Sequence, residues 1–230
     1  LDRIRMIPVP GTATVDDVLR LCDREPKRLC ELIDGVLVEK VMGHQESRLA
    51  ARLIQALENY LDQHDIGIIA GADGPHQILN EQVRFPDVAF IGYERIPEGA
   101  DPGTPVPEWI PTLAVEVISK ANTKAEMSRK LHDYFEAGVE LVWYVDPPTR
   151  SVRVYHSPES CVTLTDADML DGETILPGFR ISIRDWFDRA WRVRLTLVAA
   201  VIAALFEYQF DLPIYQRHLG FMLGLLLAAM

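Results

Sequence analysis

Between residues 113 and 145 a strand, a helix and a second strand follow in close succession, and no other feature constrains the fold as strongly. Leu113–Ser119 is a strand-like run with a single acid, Glu116, in its middle. Asn122-Thr123 opens a helix that runs to Ala137, and Gly138 is placed to cap its C-terminus. Leu141–Val145 is apolar and aromatic, bounded by Asp146-Pro147-Pro148, as expected of a strand buried on both faces. Two such strands joined by one helix predict parallel neighbours linked by a right-handed crossover, and hence an α/β domain.

The flanking segments fit around that unit. Thr14–Leu21, with Asp16 and Asp17 in its first turn, reads as a short helix capped by Thr14. Asp34-Gly35 between Leu32-Ile33 and Val36-Leu37-Val38 predicts a β-hairpin. His44–His64 carries Leu49, Leu53, Leu57 and Leu61 at helical spacing, with Gly67 as its stop. Ile66–Ala70, Gln77–Asn80 and Val83–Ile91 read as strands, and the five prolines of Pro97–Pro111 as a surface loop. Val152–Tyr155, Cys161–Leu164 and Ile181–Ile183 are weaker strands, expected as a meander at the sheet edge.

A domain over 12–188 followed by a tail, 191–230, is the expected organisation. The tail holds two apolar runs, Leu195–Phe206 and Leu219–Met230, each shorter than the roughly 18–20 residues that span a bilayer. Integral membrane insertion is therefore not expected. Cys22, Cys30 and Cys161 form no metal-ligand spacing, so buried free thiols in a reducing, cytoplasmic compartment are expected. The opening residues show no basic segment leading into an apolar run, so no secretory leader is expected.

Two acids stand where an apolar residue is expected. Asp87 follows Pro86 in the run Val83–Phe90, and Glu116 interrupts Leu113–Ser119. A carboxylate in such a strand is costly unless paired or metal-bound. Two of them on neighbouring strands offer oxygen ligands to a hard divalent cation. Spacing alone equally allows a pair of edge acids facing solvent. On the following helix, Lys130 lies at the margin of the apolar face formed by Met127, Leu131, Tyr134 and Phe135. It reads either as a cation reaching the strand ends or as a surface lysine with a buried stem.

Several short motifs occur in a fixed order: Glu31–Gly35, His44-Gln45, Arg84–Val88, Ala114–Ser119, Asn122-Thr123, Lys130–Tyr134, Ala137–Val139, Val142–Pro147, Leu176–Phe179 and Asp185–Phe187. In this order the chain resembles the Uma-type group of restriction-endonuclease-like proteins, within the PD-(D/E)XK nuclease superfamily, over about residues 12–188. The resemblance implies a mixed sheet flanked by helices, to which the residues themselves add an N-terminal hairpin at Asp34-Gly35 and a C-terminal helical appendage over 191–230, where the chain departs from the family. It implies Asp87 and Glu116 as ligands of Mg²⁺ or Mn²⁺, with the Val117 carbonyl as a further ligand. The position two after Glu116 holds Ile118 where the simplest pattern has lysine, and Lys130 takes that role by analogy. Glu31, His44 and Glu46 are further candidates near the site. Asp34 is explained by the turn, and Lys120 and Lys124 are substitutes for Lys130.

The reading is a metal-dependent endonuclease, a phosphodiester hydrolase acting on DNA, and a homodimer is compatible with it. Charge opposes it: 34 Asp and Glu against 23 Lys and Arg give a net −11, whereas phosphate binding draws on basic residues. A bound metal supplies positive charge where the phosphate sits. The alternative is a catalytically idle interaction module that keeps the nuclease fold.

Overall fold

Helix α1 (Val15–Cys22) begins at Thr14, where Thr14 and Asp17 form a capping box, and packs Val18 and Leu21 inward. A computed structural model describes residues 3–24 and 28–191, within the unit Leu1–Ala190 apart from the last residue. Strands β1 (Cys30–Ile33) and β2 (Val36–Glu39) form the expected hairpin. Its turn residues Asp34 and Gly35 both take positive φ, 48° and 71°, as a two-residue hairpin loop demands.

After helix α2 (His44–Leu61) come β3 (Gly67–Gly71), β4 (His76–Leu79), β5 (Gln82–Arg84) and β6 (Val88–Gly92). Then follow β7 (Leu113–Val117), helix α3 (Lys124–Ala137), β8 (Leu141–Asp146), β9 (Ser151–Ser157) and β10 (Ser160–Leu164). The described chain closes with β11 (Met169–Asp171), β12 (Arg180–Ser182) and helix α4 (Ile183–Trp191).

Six strands form the central sheet in the order β10-β9-β8-β7-β6-β3, and β2-β1-β5-β4 form a second sheet. Within the central sheet β7 and β8 are the parallel pair, joined by α3, as the strand–helix–strand pattern predicts. Thr123 and Glu126 close a capping box at the start of α3, and Gly138 ends it with φ 95°.

Side-chain alternation on β7 sorts its two faces. Leu113, Val115 and Val117 join α2 and α4 in one core, around Leu53, Trp143 and Phe187. Ala114 faces the other way and packs with Met127, Leu131 and Tyr134 of α3. Glu116 shares the parity of Ala114, so its carboxylate lies on the α3 side. A third core, Val18, Leu32, Leu37 and Phe85 among others, seats α1 on the small sheet.

Several expectations need correction. The second helix ends at Leu61 with Asp62 as its cap, and Gly67 opens β3 instead of stopping the helix. The run Val83–Ile91 is two strands in different sheets, because Pro86 lacks the N–H a continuous ladder needs. Asp87 thus lies at the corner before β6 and not within a strand. Ile181 pairs in a separate two-stranded sheet with β11, and Ile183 begins α4, whose apolar face carries Phe187 and Ala190 into the core. Cys30 is buried, but Cys161 is exposed on edge strand β10. The apolar runs Leu195–Phe206 and Leu219–Met230 lie outside the described residues. Among those described, no helix is long and apolar enough to cross a membrane.

Candidate active site

The pairing of β6 with β7 sets the site. Val88 lies opposite Val115, so one step outward along the same antiparallel register brings Asp87 opposite Glu116. The Asp87 N–H donates to the Val115 carbonyl (2.9 Å), and the Val117 N–H donates back to Asp87 Oδ2 (2.7 Å). Both acids are buried. Two of the three proposed catalytic carboxylate and lysine positions thus meet through the sheet, and the third arrives from the helix.

Lys130 and Tyr134 are one turn apart on α3 and face the same way. The Lys130 ammonium donates to Glu116 Oε1 at 2.9 Å, and the Tyr134 hydroxyl donates to the same oxygen at 2.6 Å. Lys130 also contacts Glu31 Oε1 at 2.7 Å. It is buried, so the surface-lysine reading is wrong, and the burial of its ammonium is sustained by two carboxylates. Lys120 and Lys124 are exposed.

Glu31 belongs to the site through a second register. Leu32 pairs with Val83, which brings Glu31 opposite Arg84. Arg84 Nη1 donates to Glu31 Oε2 (2.8 Å), and its Nη2 donates to Asp133 of α3. One fully buried guanidinium therefore ties the small sheet to the helix that carries Lys130.

Lys40, which sequence reasoning missed, closes the other side. Its ammonium lies 2.8 Å from Asp87 Oδ1 and also donates to the carbonyls of Ala72 (3.2 Å) and Phe85. A lysine just past an apolar strand, ahead of the Gly43 helix start, is too common a pattern to have drawn notice. Tyr134 was read only as part of an apolar face. Glu46 lines the same small cavity, whereas His44 is exposed at the start of α2 with no contact to the acids among its described interactions.

The electrostatics follow from the count of buried groups. Four carboxylates, Glu31, Asp87, Glu116 and Asp133, face three cations, Arg84, Lys130 and the nearly buried Lys40. Half-exposed Arg129 reaches Asp133 only at 4.0 Å. One negative charge is in surplus. Burial, with the Asp87 charge behind it, pushes the Glu116 carboxyl above the usual range despite Lys130. Burial would also raise Glu31, but Lys130 and Arg84 outweigh it and hold that carboxyl below the usual range. For Lys130 itself burial is outweighed by Glu116 and Glu31, so the ammonium is held more firmly protonated than usual.

The cavity at the centre has a volume of about 20 Å³, room for roughly one water-sized occupant. Asp87, Glu116, Val117, Lys130, Lys40 and Glu46 are among its walls. Among the described residues no group of three or more His, Cys, Asp and Glu side chains is gathered to hold a metal ion. The donor set is two opposed carboxylates, each facing one lysine. That set fits a single hard divalent cation whose remaining ligands are backbone oxygen and water.

Comparison with known proteins bears on this arrangement. A family model, Uma2, described as "Putative restriction endonuclease", matches residues 15–184. Among solved structures the chain is similar to that of "a putative nuclease belonging to DUF820" from Anabaena variabilis. The identity is 18% and the TM-score 0.64, over 77% of this chain and 98% of that one, which shows a shared fold. The expected α/β architecture, with a mixed sheet between helices, is the one found. No curated protein matches the chain.

Proposed function

The chain belongs to the Uma2 family of restriction-endonuclease-like proteins, and from that premise we propose that it is a divalent-metal-dependent endonuclease that hydrolyses phosphodiester bonds in DNA. The observation that carries this reading is that Asp87 and Glu116, both buried and opposed across β6 and β7, line one water-sized cavity together with Val117. Asp87, Glu116 and the Val117 carbonyl would hold Mg²⁺ or Mn²⁺. When bound, such an ion supplies Lewis-acid charge and lowers the pKa of a coordinated water.

The protein's own groups divide the remaining work. Tyr134 fixes Glu116 Oε1 by a hydrogen bond, and the Val117 N–H fixes Asp87 Oδ2, so both carboxylates are preset in direction. Lys130 presents a permanent positive charge at the cavity wall, where it stabilises charge developing on a phosphoryl oxygen. Glu31 holds the Lys130 ammonium in place, and Arg84 holds Glu31.

A second reading is favoured by one observation: each acid is already closed by a lysine. An idle interaction module with the nuclease fold would look like this. Calorimetric titration with Mn²⁺ separates the two, since an idle module has no need of the ion. For the enzyme, Asp87→Asn and Glu116→Gln should abolish Mn²⁺-dependent cleavage of plasmid, linear and single-stranded DNA while the circular dichroism spectrum is retained. Undiminished cleavage in either variant overturns the assignment.

A further inference from the structure

The two lysines at the site are held in different ways. Lys130 lies between two carboxylates, 2.7 Å from Glu31 and 2.9 Å from Glu116. Were Glu116 to turn toward another cation, Glu31 would still neutralise Lys130. Among the described residues Lys40 directly contacts one carboxylate, Asp87, and two neutral acceptors, the carbonyls of Ala72 and Phe85. Two of the three N–H donors of the ammonium go to these carbonyls, and Asp87 Oδ1 faces it as an ion pair.

Its position in the chain makes the anchoring independent of Asp87. Lys40 follows β2, and its backbone N–H donates to the Leu29 carbonyl. Ala72 lies in the turn after β3, and Phe85 at the Pro86 corner between β5 and β6. Both acceptors are backbone carbonyls, so their contacts with Lys40 do not pass through the Asp87 side chain. Asp87 is buried, and burying a charged carboxylate is costly unless a cation lies beside it.

We propose that Lys40 is the resting counter-ion of Asp87: it neutralises the carboxylate in the metal-free protein and yields it to an incoming divalent cation, while remaining tied to the carbonyls of Ala72 and Phe85. Lys40 is thus a positioning residue that acts through Asp87. This inference rests on the reading that Asp87 holds a metal. In charge terms a lysine that competes for a ligand oxygen weakens metal binding, and in exchange keeps the buried carboxylate tolerable when no ion is present.

The test uses the full chain with Lys40→Met, which keeps the length of the stem and removes the charge, and Lys40→Gln, which keeps N–H donors for the two carbonyls. Mn²⁺ binding is measured by calorimetry and thermal unfolding with and without Mn²⁺. Metal-free Lys40→Met should unfold at a lower temperature than wild type, and Mn²⁺ should restore most of the difference. Its Mn²⁺ affinity should rise about tenfold, toward the low end of ordinary coupling between two ligands of one site. Lys40→Gln should shift in the same direction, and serves if Lys40→Met does not fold. Wild type that binds Mn²⁺, with either variant binding equally or more weakly, overturns the counter-ion role and leaves the metal site standing. Absence of Mn²⁺ binding in wild type and both variants overturns the role together with the metal site.

Discussion

Asp87 and Glu116 stand opposite one another across the β6–β7 pair, yet a different lysine closes each, Lys40 at 2.8 Å and Lys130 at 2.9 Å. The asymmetry has a structural origin. Lys40 arrives from the small sheet, whose hairpin runs into α2, whereas Lys130 arrives from the crossover helix between the parallel strands. The site is therefore a junction of three layers, and it assembles only when both sheets and α3 are packed.

Removal of Lys130 should act on turnover and on stability at once. In Lys130→Ala, Glu31 and Glu116 both lose a buried partner, and breaking such a pair costs about 3–5 kcal/mol. Turnover should fall by orders of magnitude, while Mn²⁺ affinity stays near wild type or rises slightly. Denaturant melts, calorimetry and single-turnover cleavage read the three effects separately. Equal cleavage in Lys130→Ala, with a loss in Lys120→Ala or Lys124→Ala, would move the role to an exposed neighbour.

Arg84 is a structural prediction of a different kind. Its guanidinium joins Glu31 of the small sheet to Asp133 of α3 with almost no solvent contact. Arg84→Met removes the guanidinium that the buried carboxylates of Glu31 and Asp133 share, and a loss of about 3–5 kcal/mol is expected. Arg84→Lys should recover only part of it, because one ammonium cannot reproduce the fork that serves two acids. A urea midpoint for Arg84→Lys equal to that of wild type would show that the fork geometry is not needed.

Much of the site was legible because polar residues interrupt apolar runs. Glu116 and Asp87 are conspicuous within β-type segments, and Lys130 is conspicuous beside Met127, Leu131 and Tyr134. The crossover that positions Glu116 and Lys130 was also readable, since Thr123 and Gly138 mark both ends of α3. What stayed hidden depends on contacts between segments far apart in the chain. Lys40 meets Asp87 across 47 positions of sequence, through a corner made by Pro86 that periodicity alone read as one strand. Tyr134 carries both an apolar ring and a hydroxyl, and helical spacing reports only the ring. Helix α4 was lost because Ile181 and Ile183 alternate as strand residues do, while the core contacts of Phe187 and Ala190 that hold it as a helix are tertiary.

The cysteines give a simple check of the packing. Cys161 is exposed, whereas Cys30 lies in the core beneath α1, where burial pushes its thiol up to about 11. A thiol reagent at neutral pH should label Cys161 promptly and Cys30 only after denaturation. Mass spectrometry of the labelled peptides decides it. Prompt labelling of Cys30 in the native protein would contradict the seating of α1 on the small sheet.

The last prediction concerns His76, opposite Arg84 in the β4–β5 pair and only 2% exposed. Its Nδ1 meets the Trp109 carbonyl at 3.1 Å, and its Nε2 has no hydrogen-bond partner among the described residues. Burial lowers the imidazole to about 4, against the opposing pull of the Trp109 carbonyl. The unfolded chain has the ordinary value near 6.5, so between about 6.5 and 4 the unfolded state binds a proton that the folded state does not. The contribution of a neutral His76 is therefore fully present above about pH 6.5 and is lost as pH falls toward 4, by about 3 kcal/mol in all. In His76→Gln, which keeps a donor for Trp109 and cannot titrate, that loss should be missing. Urea unfolding of both proteins at intervals from pH 7.5 to 4.5 measures it: the stability difference between wild type and variant should change steadily in favour of the variant as pH falls. A difference that stays constant over this range would falsify the assignment of His76 as a buried neutral imidazole.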